Sequence, residues 1–123
     1  MKEYLIIRTA GELRHIASEH ILYMVANGRF SEVHLTNGTS FSVSIPLGEI
    51  ANTLEIQLPH FHVDFVRLGR TLMINVSHLY YINIANEQLE LLDRNLNTVA
   101  LNASQSSLKE LWDLLNNRLN INR

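Results

Sequence analysis

The sequence predicts a mainly β domain with two short helices, an α+β fold. Short β-rich segments recur at close intervals between turn residues, and two other segments carry apolar residues at helical spacing. Hydrophobic residues make up 46% of the 123 residues, enough for a core in one domain of this length. We therefore expect a single domain over residues 1–117 and a polar C-terminal tail over residues 118–123.

The first part of the chain is predicted to be strands joined by turns. Two Asn-Gly pairs mark connections between strands, Asn27-Gly28 and Asn37-Gly38. The predicted strands, the second of them from a weaker signal, are Tyr4–Arg8, Leu13–Ile16, Ile21–Ala26, Phe30–Thr36 and Ser40–Ile45.

The second Asn-Gly hairpin carries a constraint on its register. Apolar residues at positions 41, 43 and 45 alternate with serines, so the odd positions face the core. A two-residue loop would place Leu35 opposite Ser40, an apolar residue against a polar one. A three-residue loop, Asn37-Gly38-Thr39, places Leu35 opposite Phe41 instead. We predict the three-residue loop, with Gly38 at positive φ.

A helix of about three turns is predicted after the fifth strand. Pro46 ends that strand, apolar residues recur at helical spacing as far as Leu58, and Pro59 ends the helix. We expect this helix to cover one side of a sheet.

A second strand-rich block and a terminal helix follow. The predicted strands are Phe65–Leu68, Leu72–Asn75, Leu79–Ile84, Gln88–Leu92 and Thr98–Leu101. The pattern Ser107-x-x-Glu110 predicts a capping box at the start of the helix. Its apolar stripe, which we expect to lie in the core, consists of Leu108, Leu111, Trp112, Leu115 and Leu119.

Composition excludes several classes of protein. The chain has no cysteine, which excludes disulfides, Cys-ligated zinc and thiol catalysis. It has neither an apolar run of about 18 residues nor a signal-peptide pattern, so we expect a cytoplasmic domain without a membrane partner. The net charge of −2 does not indicate a nucleic-acid binder, because such proteins usually carry an excess of basic residues.

No motif for catalysis is present. His60, His62 and Asp64 would share one face of an extended segment, as ligands of a divalent metal do. A polar connection between helix and strand explains the same residues, and no further ligands are evident, so we predict no metal site. A small metal-dependent β enzyme stays open as a third alternative. Without a nucleophile elbow, a phosphate loop or a dinucleotide fingerprint, we predict no enzyme, no catalytic residue and no cofactor.

The segment Phe65–Asn75 has a different character. Arginine, threonine and asparagine alternate with apolar residues around Gly69, where the backbone can turn and present Arg70 and Thr71 outward. These side chains are the groups that contact phosphates and base edges in DNA complexes. A structural alternative is that Arg67 pairs with a carboxylate and Asn75 satisfies a turn.

This segment resembles the central motif of the LytTR DNA-binding domain. That motif reads Phe-x-Arg-x-His-Arg-Ser, followed by a short apolar strand ending in Asn and then by Ile or Leu. The matching residues here are Phe65, Arg67, Arg70, Thr71 in place of Ser, Asn75 and Leu79. Three further stretches are similar, in order, to the family's opening strands, its first helix, and its closing strand with the terminal helix: ILYMVANGRFSEVHLTNG, SIPLGEIANTL and VALNASQSSLKELWDLL.

The resemblance implies small antiparallel sheets stacked as an elongated β sandwich. It also implies a bacterial transcription regulator of a two-component system that reads duplex DNA with loops, two copies binding a direct-repeat site. The DNA-contacting residues it implies are Arg29, Arg67, Arg70, Thr71, Asn75, Gln105 and Ser106. Gly69 stands where the family has His, and Ser106 where it has Arg, which implies weakened binding or an altered sequence preference.

These two departures leave a second function open, a degenerate LytTR-like module that binds another protein. A homodimer on DNA and a partner regulatory protein are the other expected partners. No receiver-domain pattern precedes the strands, so we expect control by expression, a ligand or a partner.

Overall fold

The computed structural model describes residues 1–119, which form ten strands and two helices. The strands are β1 (Tyr4–Thr9), β2 (Glu12–Ala17), β3 (Ile21–Asn27), β4 (Phe30–Leu35), β5 (Ser40–Val43), β6 (Phe65–Leu68), β7 (Leu72–Asn75), β8 (Leu79–Asn83), β9 (Gln88–Leu92) and β10 (Thr98–Asn102). The helices are α1 (Leu47–Gln57) and α2 (Gln105–Leu119), and 3-10 turns lie at Ser18–His20, Phe61–Asp64 and Val76–His78. The predicted mainly β fold with two helices is confirmed. Neither helix is long and apolar enough to span a membrane.

All strand pairs are antiparallel, and they form three sheets. β1 and β2 form a hairpin, and β8, β9 and β10 form a three-stranded sheet with β9 in the centre. Between them in the chain lies a five-stranded sheet in the order β5-β4-β3-β7-β6, which we call the central sheet.

The central sheet separates two hydrophobic cores. Met24 and Met73 belong to one core together with residues of β1, β2 and α1. Leu22 and Ile74 belong to the other core, which residues of β8, β9 and α2 complete. Because β3 and β7 are buried on both faces, they carry nearly continuous apolar runs. This layering agrees with the stacked sheets that the resemblance implied.

The β4–β5 hairpin differs from its predicted register. Val33, rather than Leu35, lies opposite Phe41. The Leu35 N–H donates to the Thr39 carbonyl at 2.9 Å, so the loop keeps three residues but starts one position earlier than predicted. The pairing is thereby shifted by two residues, which leaves every side chain on its predicted face. Gly38 has a φ of +88°, as expected.

Long-range contacts account for this shift. The Thr36 N–H donates to the His20 carbonyl at 2.9 Å, and the Thr36 carbonyl accepts from the Arg94 N–H at 3.0 Å. Both backbone groups of Thr36 are therefore bonded outside the hairpin, and the strand ends at Leu35.

The second helix starts earlier than predicted. Ser104 Oγ accepts a hydrogen bond from the Ser107 N–H at 3.2 Å, so Ser104 caps the helix and Ser107 lies in its first turn. The predicted capping box beginning at Ser107 is therefore wrong. The helix continues through Leu119, the last residue of its predicted stripe, and residues 120–123 of the predicted tail lie outside the described residues.

The buried face of α2 is narrower than the predicted stripe. Leu108 and Leu111 are 0% and 1% exposed, and Leu115 packs against the same core. Trp112 is 46% exposed and Leu119 is 63% exposed, so their predicted place in the core is wrong. A helix buries only those positions that its neighbours reach, and here the core covers one side of the stripe.

Candidate nucleic-acid interface

Two turns with exposed cationic or polar side chains lie side by side at one end of the central sheet. The β3–β4 turn carries Arg29, and the β6–β7 turn carries Arg70 and Thr71; all three are exposed. The Ala26 N–H at the end of β3 donates to the Thr71 carbonyl at 2.7 Å. The pairing of β3 with β7 therefore brings the two turns together.

The first turn of α2 lies at the same end. A Cβ added at Gly69 would lie 4.0 Å from Ser107 Oγ, so the β6–β7 turn lies against the start of this helix. Gln105 and Ser106 are exposed there, and Gln105 Nε2 donates to the Ala85 carbonyl at 3.4 Å. We call this surface, residues 28–29, 69–71 and 104–107, the loop end.

The loop end has several positive electrostatic features. None of the ion pairs within residues 1–119 involves Arg29, Arg67 or Arg70. The N-terminus of α2 adds free backbone N–H groups and the positive end of the helix dipole. The start of α1 is close as well, since a Cβ added at Gly48 would lie 3.9 Å from Arg67 Nη1. In a chain of net charge −2, these groups concentrate positive charge on one surface.

Arg67 spans the turn that carries Arg70. Its Nη2 donates to the Arg70 carbonyl at 2.8 Å, which ties the end of β6 to the tip of the turn. The carboxylate partner that the structural alternative offered for Arg67 is not found within residues 1–119. This contact makes Arg67 a residue that positions Arg70.

Gly69 gives the turn its shape. Its φ is +74°, in the left-handed region that glycine enters without strain. The glycine that replaces the family's histidine thus coincides with a tight left-handed turn that leaves Arg70 exposed at its tip.

Asn75 does not belong to this surface. It is 2% exposed, and its Nδ2 donates to the Ile21 carbonyl at 2.8 Å and to the Ser18 carbonyl at 3.2 Å. Its Oδ1 accepts from the Ser77 N–H at 3.1 Å and from the Ser77 hydroxyl at 2.7 Å. A buried amide with these four bonds has no group left for DNA, so the structure contradicts the predicted DNA contact and agrees with the structural alternative.

The His60, His62 and Asp64 side chains have separate partners. His62 Nδ1 lies 2.7 Å from the carbonyl oxygen of Leu58, the residue after α1. Asp64 Oδ1 lies 3.9 Å from Arg118 Nη1. Their segment is a 3-10 turn rather than an extended strand, so they do not share one face. Within residues 1–119 no three metal-ligating side chains form a cluster.

His60 takes part in a set of hydrogen bonds to Glu3, the residue before β1. The Glu3 carboxylate, 8% exposed, accepts from the backbone N–H groups of His60 and Phe61 and lies 2.7 Å from His60 Nδ1. Burial alone would raise the pKa of Glu3, but the hydrogen bonds from Phe61 and His60 outweigh it and lower that pKa below its usual value. The arrangement holds β1 against the 3-10 turn.

A groove of exposed aromatic side chains, not predicted from the sequence, lies between β8 and α2. Tyr80, Tyr81 and Trp112 are 61%, 43% and 46% exposed, and they line a groove of about 270 Å³ between β8 and α2. An irregularity in the β8–β9 pairing at Tyr80 leaves both tyrosines exposed, although adjacent strand residues normally face opposite sides. The two adjacent tyrosines are visible in the sequence, but the irregular strand pairing that exposes both of them is not.

Comparison with known proteins identifies the fold. No protein-family model matches the chain, and no curated protein matches its sequence. Among solved structures, it is similar to the LytTr DNA-binding domain of a Bacillus cereus protein described as a methyl-accepting/DNA response regulator. The TM-score is 0.61 at 22% identity, and the match covers 94% of this chain and 98% of the other. The fold that the four sequence motifs implied is therefore confirmed, and this chain has the fold of a LytTR DNA-binding domain.

Proposed function

We propose that this domain binds duplex DNA sequence-specifically through the loop end, as the output domain of a bacterial transcription regulator in the cytoplasm. The observation that carries the proposal is the meeting of two arginine-bearing turns with a helix N-terminus at one end of the central sheet. The DNA-binding role named for the fold neighbour supports it.

The residues of the loop end divide into two groups by chemistry. Arg29 and Arg70 are suited to bidentate contacts with guanine or phosphate, and the amide of Gln105 is suited to adenine. Thr71, Ser106 and the backbone N–H groups at the start of α2 are suited to phosphate oxygens. In this proposal the two arginines and Gln105 read the bases, whereas Thr71, Ser106 and the backbone N–H groups of α2 fix the position on the DNA backbone.

Few phosphate contacts are available at this surface. Each neutralised phosphate contributes about −0.9 to the slope of log affinity against log salt, so a single domain should show a shallow slope. Gly69 and Ser106 replace two polar or cationic groups, which lowers the affinity of one copy. Two copies on a direct repeat, as a homodimer on DNA or with a partner regulatory protein, recover affinity through a higher effective concentration.

Replacing Arg70 with alanine should weaken specific binding by about 1–3 kcal/mol, as expected for the loss of a bidentate contact. The measurement is fluorescence anisotropy with a duplex selected from random sequences. Arg94→Ala is the matched control, because Arg94 is an exposed arginine bonded through its N–H to Thr36 at the opposite end of the central sheet. Equal affinities of wild type and Arg70→Ala, or equal losses in the two variants, would contradict the proposal.

Arg67→Ala should weaken DNA binding without changing its salt slope. The side chain donates to the Arg70 carbonyl, so its removal loosens the turn but removes no phosphate contact. Affinity measured at several salt concentrations tests this, with thermal unfolding as the control for folding. A slope lower in magnitude by about 0.9 would instead make Arg67 a direct phosphate contact.

The aromatic groove favours a second function, that of a protein-binding module. Exposed tryptophan and tyrosine side chains that cluster on a surface are typical of protein interaction sites. A salt titration with random duplex DNA separates the two functions. DNA binding at low salt that weakens as salt rises supports the first, whereas no binding at low salt favours the second.

A further inference from the structure

A second surface, distant from the loop end, has the features of a ligand site. It is a cleft of about 470 Å³ beside the β4–β5 turn, lined by residues that include Tyr4, His15, His20, Thr36, Asn37 and Arg94. His20 precedes β3 and Thr36 follows β4, so the cleft lies at the opposite end of the central sheet. The seven residues of β3 place about 20 Å between the two ends.

The cleft is rich in hydrogen-bond donors. Arg94 is exposed, and its guanidinium takes part in none of the ion pairs within residues 1–119. Asn37 Oδ1 is occupied by the N–H and hydroxyl of Thr39, at 3.0 and 2.6 Å, which leaves its amide N–H groups as donors. His20 is exposed on the same cleft.

Thr36 also lines this space. Thr36 is only 5% exposed, and its hydroxyl makes no hydrogen bond to another described residue. Every fully buried side-chain nitrogen or oxygen atom within residues 1–119 has a hydrogen-bond partner. Because the Thr36 hydroxyl has none, its oxygen must keep some accessible surface. The cleft is the space that Thr36 lines. A nearly buried polar side chain without a protein partner is a group that a ligand can satisfy.

The nearby carboxylates are already occupied. Glu19 pairs with Lys2 at 3.0 Å, and Asp93 accepts the N–H groups of Asn95 and Asn97 at 2.8 and 2.9 Å. The hydrogen bonds from Asn97 and Asn95 also hold the pKa of Asp93 below its usual value, although burial opposes them. No Asp or Glu lines the cleft itself, although the charge of Arg94 also contributes to lowering the pKa of the neighbouring Asp93.

We propose that this cleft binds a small molecule through an oxyanion, a phosphate or a carboxylate. Its oxygens would accept hydrogen bonds from the Arg94 guanidinium and the Thr36 hydroxyl, the charge-assisted geometry that arginine favours. The stacked rings of Tyr4 and His15, with centroids 4.4 Å apart, also line the cleft. This site is independent of DNA binding, since it shares no residue with the loop end.

The position of the cleft gives the ligand a structural effect. Tyr4 and His15 belong to the β1–β2 hairpin on one side of the central sheet, and Arg94 belongs to the loop of the three-stranded sheet on the other. A ligand that contacts all three ties the two outer layers together. Because it binds only the folded state, it should raise the melting temperature as its concentration rises.

NMR titration of the full chain with inorganic phosphate and, separately, with acetate tests the proposal. We expect saturable shifts of the backbone amides of Thr36, Asn37 and Arg94 with at least one of the two anions. The anion that binds more tightly identifies the ligand group. Arg94→Ala should weaken this binding about tenfold or more, as for a lost hydrogen bond to a charged group. Arg29→Ala, which removes a cation from the loop end, is the matched control and should leave these shifts unchanged.

Three results would overturn the proposal. They are the absence of saturable shifts with either anion, shifts confined to the loop end, and equal affinity in wild type and Arg94→Ala. Thr36→Val keeps the shape of the side chain and removes its hydroxyl. The affinity of this variant for the anion therefore tests the proposed contact of the Thr36 hydroxyl. Each result is independent of DNA affinity, and failure of either proposal leaves the other standing.

Discussion

Asn75→Ala should be among the most destabilising substitutions in this domain, with a loss of about 2–4 kcal/mol, because each buried polar group left unsatisfied costs about 1–3 kcal/mol. The substitution removes the donor to the Ile21 and Ser18 carbonyls, and Ile21 and Ser18 are 0% and 7% exposed. It also removes the acceptor for Ser77. Urea unfolding followed by circular dichroism measures the loss.

Asn75→Asp is the matched variant for this prediction. It keeps the size of the side chain and an acceptor for Ser77, but it lacks the N–H groups that reach the two carbonyls. We therefore expect it also to be destabilised. Unchanged stability of Asn75→Ala together with lost DNA binding would contradict the structural role and restore Asn75 as a DNA contact.

Leu108→Ala should destabilise the domain by about 2–5 kcal/mol, the usual cost of truncating a fully buried leucine. Leu108 is 0% exposed and packs in the core between the central sheet and the three-stranded sheet. Thermal and urea unfolding measure the effect. DNA affinity extrapolated to the folded fraction should be close to that of wild type, because the side chain does not reach the surface.

Trp112→Ala is the control on the same helix. The apolar stripe predicts the same core position for both residues, whereas the structure leaves Trp112 46% exposed. We expect Trp112→Ala to cost less than half as much as Leu108→Ala, although tryptophan is the larger side chain. Equal losses would mean that the buried face of α2 is as wide as the sequence pattern predicts.

The proposed DNA contacts depend on how rigidly the turns of the loop end are held. The β6–β7 turn is bonded at three points: by the strand pairing, by the bond of Thr71 to Ala26, and by the Arg67 side chain. Recognition groups held within a narrow range of positions lose less entropy on binding. This makes the β6–β7 turn the best-supported part of the proposed interface.

Local chemistry in the sequence was sufficient to locate the elements. Period-2 alternation, Asn-Gly turns and helical spacing act over a few residues, and the ends of the predicted strands and of α1 lie within one or two residues of those observed, whereas α2 is capped three residues earlier than predicted. The resemblance to the LytTR motifs also implied that the segments of Arg29, Arg70 and Gln105 belong to one surface. Sequence patterns of this kind do not predict how exposed these three segments are or how far apart they lie.

Where the sequence left two roles open for one residue, long-range contacts decided between them. Asn75 matches both a DNA-contact motif and a turn, and its burial under the carbonyls of Ile21 and Ser18, more than fifty residues away in the chain, leaves only the second.

The sequence by itself thus determined the class of fold and the order of the elements. Only the tertiary structure decided which faces are covered. It shifted the β4–β5 register by two residues because Thr36 bonds His20 and Arg94, and it left Trp112 at the surface while burying Leu108. The physical reason is that strand and helix periodicity depend on neighbouring residues, whereas burial and hydrogen-bond partners depend on segments that only folding brings together.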